Sequence, residues 1–198
     1  MGNLRGKLQV QGMIVALAGR RIDAEGAAVP RFPLERVDAV RKRIRIRLSE
    51  MRATVLISSG ACGADLIAQE VAGELGIQRR VVLPFDRERF RALSVTDRPG
   101  NWGPRYDTIC DEVAAAGGLT VLSYDPREEI SFKYAGDDIL ALVLRWAGTQ
   151  GGGLVDQAAV ILVWDRVARS PDDITAQFGN TARAQGLRVI QISTLPRR

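Results

Sequence analysis

Residues 54–76, TVLISSGACGADLIAQEVAGELG, decide the fold class. Thr54–Ser58 is a short apolar run of β-branched character, Ser59–Gly63 is a small-residue turn, and Ala64–Leu75 spaces its apolar residues as one helical face before stopping at Gly76. A buried strand, a tight turn and a helix make up one half of a β-α-β unit, and the same alternation repeats along nearly the whole chain. Upstream, Met13–Ala18 reads as a strand ended by Gly19, and 33–52 as a helix whose buried face is Leu34, Val37, Val40, Ile44, Leu48 and Met51. Downstream, strands are predicted at Arg80–Leu83, Leu119–Leu122, Val160–Trp164 and Arg188–Ile192, and helices at Pro104–Ala116 and Tyr134–Trp146. Phe85–Gly103 reads as an irregular arm and Gly151–Gly153 as a flexible link. Ser170 with Pro171 reads as the start of a last helix that ends near Gly186. The expectation is a Rossmann-like, doubly wound α/β fold, with a mostly parallel six-stranded sheet, helices on both faces and one domain over 1–198.

Composition narrows the chemistry. The 198 residues include 28 Lys plus Arg, 23 Asp plus Glu, two cysteines and no histidine. Without histidine there is no Ser-His-Asp or Cys-His nucleophile, no imidazole base and no zinc site of the common kinds. Cys62 and Cys110 are too few for a disulfide framework, which points to a reducing compartment. The N-terminal residues have no apolar signal-peptide core and no run approaches a membrane span, so a cytoplasmic location is expected.

In an open parallel sheet the ligand crevice lies beyond the carboxyl ends of the strands. That rule selects the loops after Gly19, Ser58, Pro84, Leu122 and Trp164. Ligand contacts are expected from Gly19, Arg20, Arg21, Ser59, Gly60, Gly63, Ala64, Asp65, Pro84, Trp164, Asp165, Asp173 and Thr175. Gly60 and Gly63 would let backbone N–H groups approach a phosphate at the start of a helix, although glycines in strand-to-helix turns are also common for structural reasons. Arg20 or Arg21 would clamp a phosphate or form an exposed pair. Trp164 would stack on a base or pack under a helix. Asp165, Asp172 and Asp173 are the candidate catalytic carboxylates; the last two serve equally as acids complementing a helix dipole. A cofactor enters this scheme only as a divalent cation carried in with a nucleotide, and no dedicated metal site is expected. Cys62 reads as a small packing residue.

The set ALAGRRID at 16–23, RFP at 31–33, SSGACGADLIAQEVAGELG at 58–76, VVLPF at 81–85 and Phe90 followed by SVTDRPGNWG at 94–103 resembles the SLOG superfamily. These Rossmann-like domains are named for the Smf/DprA DNA-processing proteins and the LOG ("Lonely Guy") phosphoribohydrolases. The resemblance covers about 12–192. It implies binding or sensing of a nucleotide-derived ligand, in some members within signalling or anti-phage conflict systems and in others with N-glycosidic hydrolysis, and it favours a homodimer. LOG enzymes carry a PGGxGTxxE loop where this chain has Ser170-Pro171-Asp172-Asp173-Ile174-Thr175-Ala176-Gln177, with two aspartates in place of glycines. Binding therefore ranks above hydrolysis.

The run Arg41–Arg47 invites a third reading, single-stranded DNA binding as in DprA relatives. Helical steps of about 100° scatter its five cations, and no aromatic residues lie nearby for stacking. A solvated face or a charged rim around Ile46 at a dimer interface is expected instead, with nucleic acid and membranes set aside as partners.

Overall fold

The computed structural model describes residues 12–149 and 157–196. Six parallel strands form one sheet in the order β4-β3-β2-β1-β5-β6: β1 Met13–Gly19, β2 Ala53–Ser58, β3 Gln78–Leu83, β4 Leu119–Val121, β5 Ala158–Trp164 and β6 Arg188–Ser193. Helices α1 Val37–Glu50, α2 Ala64–Glu74, α3 Arg87–Ser94, α4 Trp102–Ala115, α5 Ile130–Thr149 and α6 Ile174–Ala184 connect them. This is a Rossmann-like α/β architecture.

Alternation along each strand builds a core on both faces. Val15 and Leu17 of β1 pack into one cluster with α1, α2 and α4, whereas Ile14 and Ala16 pack into the other with α5 and α6. Strand β5 is an interior strand because AAVILV is apolar on both sides, and all six of these residues are buried. On α1, Val40, Ile44 and Leu48 are fully buried, each burial being worth about 1.5–3 kcal/mol, while the cations between them stay at the surface.

Four local expectations are corrected. The helix expected from Pro33 opens with a 3-10 turn, Leu34–Arg36, and becomes α-helical at Val37. The arm at 85–103 is not irregular throughout, since α3 lies inside it. Its N-cap Asp86 accepts from the Arg89 amide at 2.8 Å, yet only Phe90 and Ser94 are buried, so the apolar period is too sparse to register in the sequence. Helix α5 starts at Ile130, four residues before Tyr134. Helix α6 is capped by Asp173 rather than Ser170, with Pro171 outside the helix. The Asp173 carboxylate accepts from the Ala176 amide at 3.0 Å and is held there by a buried arginine. The expected link Gly151–Gly153 lies outside the described residues.

The topology fixes where a ligand can sit. From β1 the chain crosses to β2 on one side, and after β4 it returns to β5 on the other. The loops after β1 and β5 therefore diverge at a topological switch point, the usual place for a binding crevice in this architecture.

Candidate functional site

A crevice of about 560 Å³ occupies that switch point. Its base is the end of β1, Leu17 to Gly19, and its walls are Ser59 and Asp65, the α3 residues Phe90 and Leu93, and the loop running from Arg169 into α6. Phe132, Ala135, Gly136 and Ile139 of α5 add an apolar side. Of the residues expected to contact a ligand, Gly19, Arg20, Arg21, Ser59, Asp65, Pro84, Asp173 and Thr175 line it, as does Asp172. Gly60, Gly63, Ala64, Trp164 and Asp165 are not in its lining.

Arg20 is 3% exposed and is largely committed to the protein. Its Nε donates to Asp165 Oδ1 at 2.8 Å, its Nη1 donates to both oxygens of Asp173 at 2.9 and 2.7 Å, and its Nη2 donates to the Val167 carbonyl at 2.6 Å. Arg31 Nη1 donates to the second oxygen of Asp165 at 2.7 Å and to the same Val167 carbonyl at 3.0 Å. Two guanidinium groups thus meet two carboxylates and tie the loop after β1 to the loop after β5. Burial pushes the Asp173 carboxyl upward, but the amides of Arg169 and Ala176 and the Arg20 guanidinium outweigh it and hold the pKa below the ordinary value. Asp165 and Asp173 are therefore structural partners of arginine, with no oxygen of Asp165 free of a donor. Asp172 alone of the three candidate carboxylates is exposed at the rim. The Arg20 guanidinium lies 5.5 Å from the Trp164 ring centroid, and the indole N–H donates to Gln191 at 3.1 Å, which holds that ring outside the crevice.

Arg21 also has protein partners. Its Nη1 donates to Asp97 at 2.8 and 2.9 Å and to the Leu93 carbonyl at 3.0 Å, fastening the loop after β1 to the arm. The arm is anchored from within as well. Phe90 is buried beside Phe85, Tyr106 and Phe132, and Trp102 Nε1 donates to the Pro99 carbonyl at 2.9 Å.

The turn before α2 binds the rest of the protein more than it faces open space. The Ala61 amide donates to Asp65 Oδ2 at 3.3 Å, the Cys62 amide to the Ser94 carbonyl at 3.0 Å, and the Ala64 amide to the Arg20 carbonyl at 3.2 Å. Gly63 has φ +93°, and a Cβ there would lie 2.8 Å from the Arg20 carbonyl oxygen, so glycine is required to bring α2 against the loop after β1. Gly60 packs against the Tyr106 ring. The glycines expected to admit a phosphate thus admit neighbouring protein. Ser58 is sealed in by Gln69, whose Nε2 donates to its hydroxyl at 2.9 Å.

Asp65 is the exception among the buried acids. It is 7% exposed, its Oδ1 has no hydrogen-bond partner, and burial pushes its carboxyl up to about 7 against the lowering influence of the Ala61 N–H. At the other side of the crevice Arg169 lines the rim with no ion-pair partner among the described residues. Partial desolvation and then the neighbouring Arg20 lower its pKa against the opposing pull of Asp173 and Asp165, while the guanidinium stays charged. Sequence reasoning missed Arg31, Arg169 and the α5 face. The position of Arg169 in the loop after Trp164, one of those the strand-end rule selects, was the one available signal; Arg31 and Asp165 are too far apart in sequence to give any.

Three of the five cations of the basic run on α1 are paired with carboxylates of the protein. Arg41 pairs with Glu70 and Glu74, Arg45 with Glu74 and Arg47 with Glu50, and Arg43 donates to the Ser193 carbonyl at 2.6 Å. Ile46 is exposed among them. Among the described residues no helix is long and apolar enough to cross a membrane.

No family model matches the chain, and no curated protein is similar to it. Among solved structures it is similar to the X-ray structure of DNA processing protein A (DprA) from Streptococcus pneumoniae, with a TM-score of 0.43 and 15% sequence identity. The match covers 92% of this chain and 59% of that one, so the chain spans about three fifths of the length of that structure. That match is to a DNA processing protein, against the expectation that set nucleic acid aside as a partner.

Proposed function

We propose that the crevice at the switch point binds a nucleotide or nucleotide-derived small molecule whose anionic group sits at Arg169. The observation that carries this reading is the unmatched Arg169 guanidinium on the wall of a 560 Å³ crevice in which Arg20 and Arg21 already have carboxylate partners. A guanidinium is suited to bidentate capture of a phosphate. Phe90, Phe132 and Phe178 give the same crevice an apolar wall that suits the ring of a base. Binding is favoured over glycosidic hydrolysis because Asp165 and Asp173 are taken up in ion pairs with arginines, and the chain has no histidine to act as acid or base.

The test is calorimetric titration of the wild type and Arg169→Ala with nucleoside mono- and diphosphates, cyclic nucleotides, ADP-ribose and a short single-stranded oligonucleotide. Micromolar or tighter binding of at least one of them, weakened about tenfold by the substitution, is the expected result, as for loss of one charge-assisted contact. No binding anywhere in the panel, or binding indifferent to Arg169, would refute the assignment. A response to the oligonucleotide alone would identify the ligand as a polymer.

A further inference from the structure

We propose that Asp65 reads the base of the ligand, selecting a ring edge that donates two N–H groups, as guanine does, over one that offers a single donor, as adenine does. The proposal rests on the nucleotide reading of the crevice given above. Asp65 lines the crevice, is more than nine-tenths buried, and lies in the first turn of α2. Its Oδ2 has one long contact, 3.3 Å from the Ala61 amide, and its Oδ1 has none. Among the described residues no lysine or arginine is paired with it. A buried carboxyl with an unfilled acceptor is unfavourable, and such groups nearly always have donors in native structures. For the ionised carboxylate the missing group is a donor, and a crevice ligand can supply it.

The surroundings argue against a phosphate in that position. An anion beside Asp65 would be repelled, and the amides of Ala61, Cys62 and Ala64 are already bonded within the protein. Arg169 reaches the crevice from the β5 side of β1, whereas Asp65 reaches it from the β2 side. A nucleotide spanning the two would have its phosphate at Arg169 and its base at Asp65, the reverse of the arrangement expected from the glycine-containing turn. Phe90 and Phe132 line the same space and give it an apolar wall against which a base can rest. The torsion about the Asp65 carboxyl is broad and two-fold, so a small rotation presents Oδ1 to an incoming edge. Guanine N1–H and N2–H then donate to the two oxygens, while adenine brings one donor and one acceptor. Burial, which pushes this carboxyl up to about 7, places its ionisation within the range that a bound donor pair can shift.

The full chain and its Asp65→Asn variant are titrated at pH 8 with GMP, AMP and 2′-deoxy-GMP. The wild type is expected to bind GMP roughly 10- to 100-fold more tightly than AMP, as follows when an unmatched buried polar pair is filled. Asp65→Asn is expected to erase that preference, because the amide presents a donor to guanine's donors, and 2′-deoxy-GMP is expected to follow GMP in both proteins. Equal affinity for GMP and AMP in the wild type, or a preference that survives Asp65→Asn, overturns base reading and leaves nucleotide binding standing. If 2′-deoxy-GMP alone is weakened in the wild type, and the difference disappears in Asp65→Asn, the donor is a ribose hydroxyl and base reading is also overturned. Failure of all three to bind overturns the inference, while the wider panel and Arg169→Ala decide separately whether the crevice takes nucleotides. Circular dichroism of the variant confirms that it is folded.

Discussion

Asp65→Asn should stabilise the unliganded protein at pH 8 and lose that advantage in acid. The ordinary aspartate pKa is 3.8, and burial raises it in the folded chain to about 7. Between those values the folded state holds a proton that the unfolded chain has released, so stability falls as pH rises from about 4 to 7 and stays at the lower level above. A rise of about three pH units at 1.36 kcal/mol each amounts to roughly 4 kcal/mol, an upper bound on the cost of ionising the buried group. Asparagine retains an acceptor for the Ala61 amide and removes the charge, but its NH₂ has no acceptor in place of Oδ1, which costs about 1–3 kcal/mol. The net gain at pH 8 is then on the order of 1–3 kcal/mol, or about 3–10 °C in Tm for a chain of this length. Near pH 4 the wild-type carboxyl is neutral, and the variant should be equal or slightly less stable. Thermal unfolding of both proteins from pH 4 to 9 checks this directly. Two Tm curves that run parallel over the whole range would show that Asp65 does not ionise within a buried site.

The buried arginine and the buried thiols give two further expectations. Arg20→Ala leaves Asp165 and Asp173 buried without Arg20, which should cost about 3–5 kcal/mol and lower Tm by roughly 6–20 °C, measured by urea or thermal unfolding; a loss below about 1 kcal/mol would contradict the clamp. Cys62 is fully buried, and burial pushes its thiol up to about 11, so a disulfide reagent at pH 8 should leave it unlabelled until denaturant is added. Rapid labelling of Cys62 in the native protein would show that the turn before α2 opens.

Much of the fold is legible in sequence because its signals are local. TVLIS, AAVILV and the Val40–Ile44–Leu48 face follow from strand and helix periodicity, and Gly76, Gly117 and Gly186 mark helix ends with positive φ. Helix α3 escaped because RERFRALS buries only two residues. Ser170 looked like a better cap than Asp173 on residue type, yet Asp173 takes the position because Arg20, 153 residues away in sequence, binds its carboxylate there. Gly60 and Gly63 were expected to let a ligand phosphate approach, whereas the groups packed against them are Tyr106 and the loop after β1.

The sequence by itself determined the alternation of strands and helices, the loops that face the crevice, and the exclusion of histidine chemistry. Only the tertiary structure decided which charged residues stay available to a ligand. Periodicity is written into neighbouring residues through backbone geometry, whereas ion pairing and desolvation depend on which side chains meet once β1 is placed between β2 and β5. That placement matches Arg20 with Asp165 and Asp173, removes them from ligand chemistry, and leaves Arg169 and Asp65, on opposite sides of the crevice, without an ion-pair partner among the described residues.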